Sequence, residues 1–439
     1  NDTLTGNAGD DTLVGGGGDD HVFGGAGNDF IVAGTGAGFD SYDGGVGIDT
    51  ITFASTFLGV AADLQAGTAS GVEIDVDVLV GFEDLIGGAG DDFLNGDTGV
   101  NIIQGGAGND TIDGFGGTDT IFGGAGDDLI GFDTSAESIN GGAGTDKIQL
   151  FGASQSVNGT NLVNVESIEA IDLGGVGSNT LSVNSALITT LSGSGTLSVF
   201  GNGDDVVESS SNWNLDGPVT FGSTVFDRFA DGGSTIDSTV TTFRSTGDVN
   251  FNAGASLTHN LVNLGTLSTS DGTYTNNGSV TLTATGDIDM TGSKVLAGSG
   301  TFVNQQSLNL QDDTIAGILD GGTGTIGLEG TVTIDGKLII GAATTVEGTI
   351  TPLVQGSGTL VNQGSQSIDD GSTLTVATLR NEGTLDFQTL TSTITSSRIE
   401  NAAGATVDFF VDTTIDMAPG NTLSNAGLAR VSAANLTFQ

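Results

Sequence analysis

The stretch Gly24 to Val32 reads GGAGNDFIV; it follows GGGGDDHVF from Gly15 to Phe23, which follows GNAGDDTLV from Gly6 to Val14. A nine-residue period means that one short unit is laid down repeatedly, and each copy can bury its apolar side only against its neighbours. The sixth place of the frame holds Asp2, Asp11, Asp20, Asp29, Asp40 and Asp49, with an insertion, Ala33-Gly34, between the fourth and fifth of these. A second block carries Asp92, Asn101, Asp110, Asp119, Asp128, Glu137 and Asp146, so 11 of 13 frames hold Asp. The eighth place is equally regular: Leu4, Leu13, Val22, Ile31, Tyr42 and Ile51, then Leu94, Ile103, Ile112, Ile121, Ile130, Ile139 and Ile148.

Glycine at places one, two and four permits positive φ and lets backbone carbonyls crowd together. The candidate oxygen donors are therefore carbonyls at the first place (Gly6, Gly15, Gly24, Gly44, Gly87, Gly105, Gly114, Gly123 and Gly141) and at the third (Ala8, Gly17, Ala26, Ala89, Ala107 and Ala125), with the sixth-place carboxylates. Calcium takes six to eight oxygens, so one turn supplies about half a shell and a second turn has to complete it. After each Asp, a three-residue strand turns its eighth-place side chain inward. Two nonapeptides make one coil, and turns on the same side stack. Ca²⁺ is expected between turn i and turn i+2, bridged by their carboxylates, with a ladder of ions along each edge. Asn101 lacks the charge, and Glu137 lies in FDTSAESIN with Ser135 in place of Gly, so ion sites at those turns are expected to be impaired.

Turns chosen only for shape would mix Asn, Ser and Asp freely. They would not place 26 carboxylates against the single Lys147 before Leu150. The whole chain has a net charge of −46, a self-repulsion that opposes compaction unless cations are bound. Nucleic acid and anionic membrane surfaces are excluded as partners, because both require basic patches. Membrane insertion is excluded because no run of 18 apolar residues exists. With no cysteine, neither disulfides nor thiolates can hold the fold.

The frame resembles G-G-x-G-x-D-x-U-x, the nonapeptide of the RTX family of secreted bacterial proteins, from Asn1 to about Leu150. The resemblance implies a parallel β-roll that folds around several Ca²⁺ ions outside the cell or on the bacterial surface. Residues 53–86 interrupt the frame and are read as longer coils continuing the same core, with Val78, Val80, Phe82 and Leu85 inward or stacking. Asp75, Asp77, Glu83 and Asp84 are read there as solvated surface rather than a cation site.

From 151 to 245 the period is lost, though strand-like runs persist; Asn202 to Asp205 (NGDD) is read as a plain turn. From 246 to 439 short apolar strands recur around Asn263, Asn277, Asn304, Asn362, Asn381, Asn401 and Asn425, the last three intervals being 19, 20 and 24 residues. Asn tolerates left-handed φ and can stack its amide in a ladder. This part resembles the β-helices of bacterial adhesins and haemagglutinins. The expected class is all-β: a parallel β-roll continuing into a right-handed parallel β-helix, a rod on the order of 100 Å. The chain is read as a piece of a longer precursor.

The leading function is a structural or adhesive surface protein, part of a surface layer, fibre or matrix, with calcium, further copies of itself and cell-surface polysaccharide as partners. The alternative is the non-catalytic part of a secreted polysaccharide lyase, epimerase or hydrolase. No H-E-x-x-H, G-x-S-x-G or P-loop occurs, and His21 and His259 are isolated. An ice-binding role would need Thr rows at coil spacing; Thr389, Thr391, Thr393 and Thr395 are read as one solvent-facing strand.

Overall fold

The computed structural model describes the chain except residues 37, 134–136, 152–153, 175–176, 203, 222–223, 232, 240–241, 246–248, 253–254, 258–259, 264–265, 270–272, 277–278, 283–286, 289–293, 300, 305–306, 312, 322–324, 330, 335–336, 341–344, 348–352, 364, 369–372, 388–391, 404, 410–412, 417–421, 426–427, 432–435 and 439. Ser135, His259, Asn277, Thr389 and Thr391 thus lie outside the described residues. Two compact units result, Asn1–Val207 with Gly232–Thr241, and Glu208–Asp231 with Thr242–Gln439.

In the first unit, Thr3–Ala8, His21–Ala26 and Ser41–Val46 pair in parallel on one face. On the other, Thr12–Val14, Phe30–Val32, Thr50–Thr52, Asp84–Ile86, Ile102–Ala107, Thr120–Ala125 and Ser138–Ala143 follow one another in parallel register. Eighth-place side chains meet between the faces. Val22, Ile31, Tyr42, Ile51, Leu94, Ile103, Ile112, Ile121 and Ile130 are fully buried, while Leu4 and Leu13 on the first rung are half-buried. Each buried aliphatic side chain contributes roughly 1.5–3 kcal/mol, so the roll has a continuous but thin core, one side chain per strand.

Residues 53–86 depart from the expected longer coils. Asp75–Val80 pairs in parallel with Ser41–Val46, then antiparallel with Thr68–Gly71, which pairs antiparallel with Val60–Asp63, which pairs in parallel with Phe93–Asn95. The insert therefore lays three strands into one face where the other face gains one, Asp84–Ile86. Phe82 and Leu85 are buried as expected, but Val78 and Val80 are exposed and Leu79 between them points into the core. Strand alternation fixes this: once Leu79 is inward its two neighbours are outward.

Beyond Leu150 the rungs continue although the sequence period does not. Lys147–Leu150 pairs with Ala170–Asp172, which pairs with Thr196–Phe200, which pairs with Ser234–Ser238. A helix the sequence reading did not anticipate, Ser185–Ser192, lies in this stretch; the Asn184 side chain caps it by accepting from the Leu187 amide.

The second unit is built of parallel strands with an antiparallel hairpin, Trp213–Phe221 against Thr224–Asp231. Trp213, Phe229, Phe251, Tyr274 and Phe302 are fully buried, and Phe229 stacks on Phe243 with ring centroids 4.0 Å apart. Asn362, Asn381, Asn401 and Asn425 fall in register on successive strands. The Asn362 amide nitrogen donates to Asn381 Oδ1 at 2.7 Å and that of Asn381 to Asn401 Oδ1 at 2.8 Å, the expected ladder. Thr373, Thr393 and Thr414 also pair in register, so a Thr column does recur at coil spacing, contrary to the expectation.

Candidate metal centre

Each coil brings a sixth-place residue over its counterpart on the next coil, and a single hydrogen bond joins them. The backbone N–H of Asp11 donates to Asp29 Oδ1 (2.9 Å), that of Asp20 to Asp40 (2.7 Å) and that of Asp29 to Asp49 (2.7 Å). In the second block Asp92 donates to Asp110 (2.8 Å), Asn101 to Asp119 (2.9 Å), Asp110 to Asp128 (2.8 Å) and Asp128 to Asp146 (2.9 Å). Oδ1 of Asp29, Asp40, Asp49, Asp110, Asp119, Asp128 and Asp146 thus accepts an amide of the coil before it, whereas both oxygens of Asp92 are engaged, by the Val60 amide (2.7 Å) and the Gly88 amide (2.5 Å). The other oxygens, Oδ2 of Asp11, Asp20, Asp29, Asp49, Asp110, Asp119, Asp128 and Asp146, are buried without any partner. At these eight turns Oδ2 is the oxygen left without a protein partner.

The glycines show where those oxygens look. A Cβ added to Gly24 would collide with Asp29 Oδ2 and the Gly44 carbonyl, one on Gly105 with Asp110 Oδ2 and the Gly123 carbonyl, and one on Gly123 with Asp128 Oδ2 and the Gly141 carbonyl. Gly6 and Gly87 have the same surroundings, and Gly44, Gly114 and Gly141 likewise lie against their own turn's Asp. First-place glycine therefore leaves room where a carboxylate oxygen and a carbonyl of the next coil converge. Positive φ is used at the second and fourth places, as in Gly25 (116°) and Gly27 (136°). The third-place carbonyls of Ala26 and Ala125 accept the amides of Gly9 and Gly108, each at 2.8 Å, leaving one lone pair apiece. Ala8 and Ala107 end strands Thr3–Ala8 and Ile102–Ala107, whereas Gly17 and Ala89 lie in turns. Among the described residues no three acidic or imidazole side chains group as metal ligands. The donor set is instead all oxygen and rich in carbonyls, which suits a hard cation such as Ca²⁺.

Burial, opposed only in part by the backbone hydrogen bond, pushes the Asp110 carboxyl up to about 7 and that of Asp146 to about 6. Asp49, Asp92, Asp119 and Asp128 are raised for the same first cause. A dry carboxylate among like charges favours a proton unless a cation is present.

Several turns differ. The Asn101 side chain donates from Nδ2 to the Glu83 carbonyl at 2.8 Å and accepts the Asp97 amide at 2.9 Å, so it satisfies itself. Glu137 is buried with Oε2 unpartnered, and desolvation, reinforced by Asp133, pushes it to about 9. Asp40 Oδ2 accepts the Tyr42 hydroxyl at 2.9 Å, and that hydroxyl also accepts the Gly34 amide and packs where a Gly15 side chain would begin. Asp2 is exposed on the first rung. His21 is exposed at its seventh place. Both Asp205 oxygens are taken, by the Asn179 amide (2.8 Å) and the Asn202 amide (2.7 Å), as in a plain turn.

The ladder also includes residues the frame did not reveal. Asp77 Oδ1 accepts the Asp40 amide (3.0 Å), Glu83 that of Asp49 (2.8 Å) and Glu169 that of Asp146 (3.0 Å). Asp77 is fully buried, not solvated, because Leu79 two residues on is a core residue. Their signal is the spacing acid-x-apolar, Asp77-Leu79, Glu83-Leu85 and Glu169-Ile171, without glycines. A second ladder runs at the exposed fifth place with reversed sense: the Asn109 amide donates to Asp91 (2.7 Å), Asp127 to Asn109 (2.7 Å) and Thr145 to Asp127 (2.7 Å).

A family model for the RTX calcium-binding nonapeptide repeat matches four copies, at residues 1–31, 80–103 and 95–130. The chain thus carries RTX calcium-binding repeats in a parallel β-roll, and the parallel strands of its second unit are consistent with a β-helix continuation. Such repeats indicate a secreted, calcium-binding bacterial protein. No curated protein matches the chain. Among the described residues no helix is long and apolar enough to cross a membrane.

Proposed function

We propose that this chain is a calcium-stiffened segment of a structural or adhesive protein at the bacterial surface, contributing to a layer, fibre or matrix. The carrying observation is the double row of buried carboxylate oxygens without partners, facing carbonyls of the next coil. Calcium, when bound, supplies the positive charge those oxygens lack. Asp11, Asp20, Asp29, Asp49, Asp110, Asp119, Asp128 and Asp146 hold the ions, with first-place carbonyls completing the shell; Asn101, Asp40 and Asp92 contribute least, because their oxygens are already engaged.

The chain's own part is to stay extended while its acids repel and to close when they are neutralised. Cytosolic calcium is too scarce for weak sites, whereas roughly millimolar extracellular levels match affinities typical of such modules. Metal and fold are then linked by mass action. A repeat block of this kind is typically non-catalytic, which favours the structural reading over a lyase or epimerase. Copies of the same chain and surface polysaccharide are the partners this reading assigns.

Circular dichroism of the full chain in EGTA and after adding Ca²⁺ tests the coupling, and electron micrographs with Ca²⁺ test assembly. Gain of β-signal with calcium and ordered assemblies support the proposal. Unsaturated products from alginate or pectate would move it to the enzyme reading.

A further inference from the structure

The segment Val72–Asp77 contains no glycine and lies outside every residue matched as a nonapeptide repeat. Its backbone is the bend and first strand residues of the antiparallel hairpin Thr68–Gly71 with Asp75–Val80, yet its acids join the sixth-place ladder. With Asp77 at the sixth place, Asp75 occupies the fourth, and its φ is positive, +53°, as at that place in Gly9, Gly27 and Gly126, though those lie further out at 115°, 136° and 135°. Asp is among the few residues that tolerate it. Leu79 fills the eighth place, buried in the core.

The turn also stacks as a repeat does. The Gly36 amide donates to the Glu73 carbonyl at 2.8 Å, the Gly38 amide to Asp75 Oδ2 at 3.1 Å and the Asp40 amide to Asp77 Oδ1 at 3.0 Å. Asp77 has no exposed surface, and its Oδ2 is one of the buried oxygens without a partner. Its neighbour on the previous coil, Asp40, differs, since the Tyr42 hydroxyl holds its second oxygen.

We propose that Val72–Asp77 is a further divalent-cation site, in which Asp77 Oδ2 is the buried ligand and Asp75 adds a second negative charge where a repeat has glycine. The remaining oxygens come from turn carbonyls and water. The proposal rests on the reading that sixth-place turns hold calcium. A site with two carboxylates binds more tightly than its one-carboxylate neighbours, so the insert is a place where the roll is pinned first as calcium rises.

Tyr42 gives the site its own reporter. Its hydroxyl bonds Asp40, whose amide bonds Asp77, whereas Tyr274 and Trp213 belong to the second unit. Terbium bound at Asp77 is therefore excited through Tyr42. In the full-length chain, Asp77→Asn is expected to lower bound calcium by one ion in equilibrium dialysis and to remove the part of the tyrosine-sensitised terbium emission that Tyr42→Phe also removes. Unchanged stoichiometry and emission in Asp77→Asn overturn the proposal while leaving the repeat sites intact; absence of calcium binding by the unmodified chain instead overturns the function reading. If Asp77→Asn does not fold, Asp75→Gly decides, because glycine suits the left-handed position. It is expected to weaken terbium at this site on the order of fivefold, the weight of one nearby charge, and an unchanged affinity refutes the assignment.

Discussion

Asp110→Asn is predicted to stabilise the roll without calcium and to lose most of that advantage with calcium. Asn keeps the Oδ1 that accepts the Asp92 amide. It replaces the unpartnered Oδ2 with an NH₂ facing the Gly123 carbonyl of the next coil, as the Asn101 NH₂ finds the Glu83 carbonyl of the coil before it. In the metal-free protein the Asp110 carboxyl is raised by burial from 3.8 to about 7, a difference of about 3 units, or about 4 kcal/mol against the charged folded form at neutral pH. The raised value means this penalty is absent below the unfolded pKa and complete only above the folded one. The substitution removes it, so at pH 7.5 in EGTA the variant gains up to about 4 kcal/mol. In calcium it loses a ligand, and with it on the order of 2.7 kcal/mol for a site held at a hundred times its Kd, so the advantage over wild type shrinks to about 1 kcal/mol. Hydrogen exchange of the full chain, read at Phe93–Asn95, Thr111–Asp113 and Leu129–Phe132, resolves the two effects locally. Slower exchange than wild type in EGTA and a much smaller difference in calcium is expected; an equal slowing in both refutes the assignment of Asp110 as a ligand.

Acidification should imitate calcium in part. Asp77 and Asp110 are raised to about 7, Asp146 to about 6 and Glu137 to about 9, all chiefly by desolvation, so chelated protein should gain β-structure by circular dichroism as pH falls from 8 towards 5. A flat signal across that range contradicts it. Gly124→Ala places a Cβ on the Gly106 carbonyl at φ 122° and should abolish calcium-induced β-signal in the second repeat block, measured by hydrogen exchange. Asn381→Ala removes the middle of the Asn ladder and leaves buried partners unsatisfied, an expected loss of about 1–3 kcal/mol in urea unfolding of the second unit, equal with and without calcium.

The roll was legible because its period is written twice, in the acids and in the apolar eighth place, and both follow from stacking. Where one of the two marks fails, the reading failed with it. Val72–Asp77 keeps the Asp and the Leu but uses Asp75 for the left-handed turn, so a search for glycine passes over it. Glu169 is hidden similarly, with Ser167 at φ 54° in glycine's place. The antiparallel strands of the insert are local hairpins, Val60–Asp63 with Thr68–Gly71 and Thr68–Gly71 with Asp75–Val80, but the apolar alternation there points the wrong way, because Val76, Val78 and Val80 are the exposed side chains. The partnerless oxygens were not legible at all: which half of a carboxylate is engaged depends on the amide of the coil before it. The Asn ladder, by contrast, follows directly from near-coil spacing of Asn362, Asn381 and Asn401.

Long-wavelength anomalous diffraction from crystals grown in calcium addresses the central claim most directly. Calcium peaks beside Oδ2 of Asp29, Asp110, Asp128 and Asp146, between successive coils, are the predicted result. Ordered turns at those four residues with no calcium peak beside any of them would contradict it.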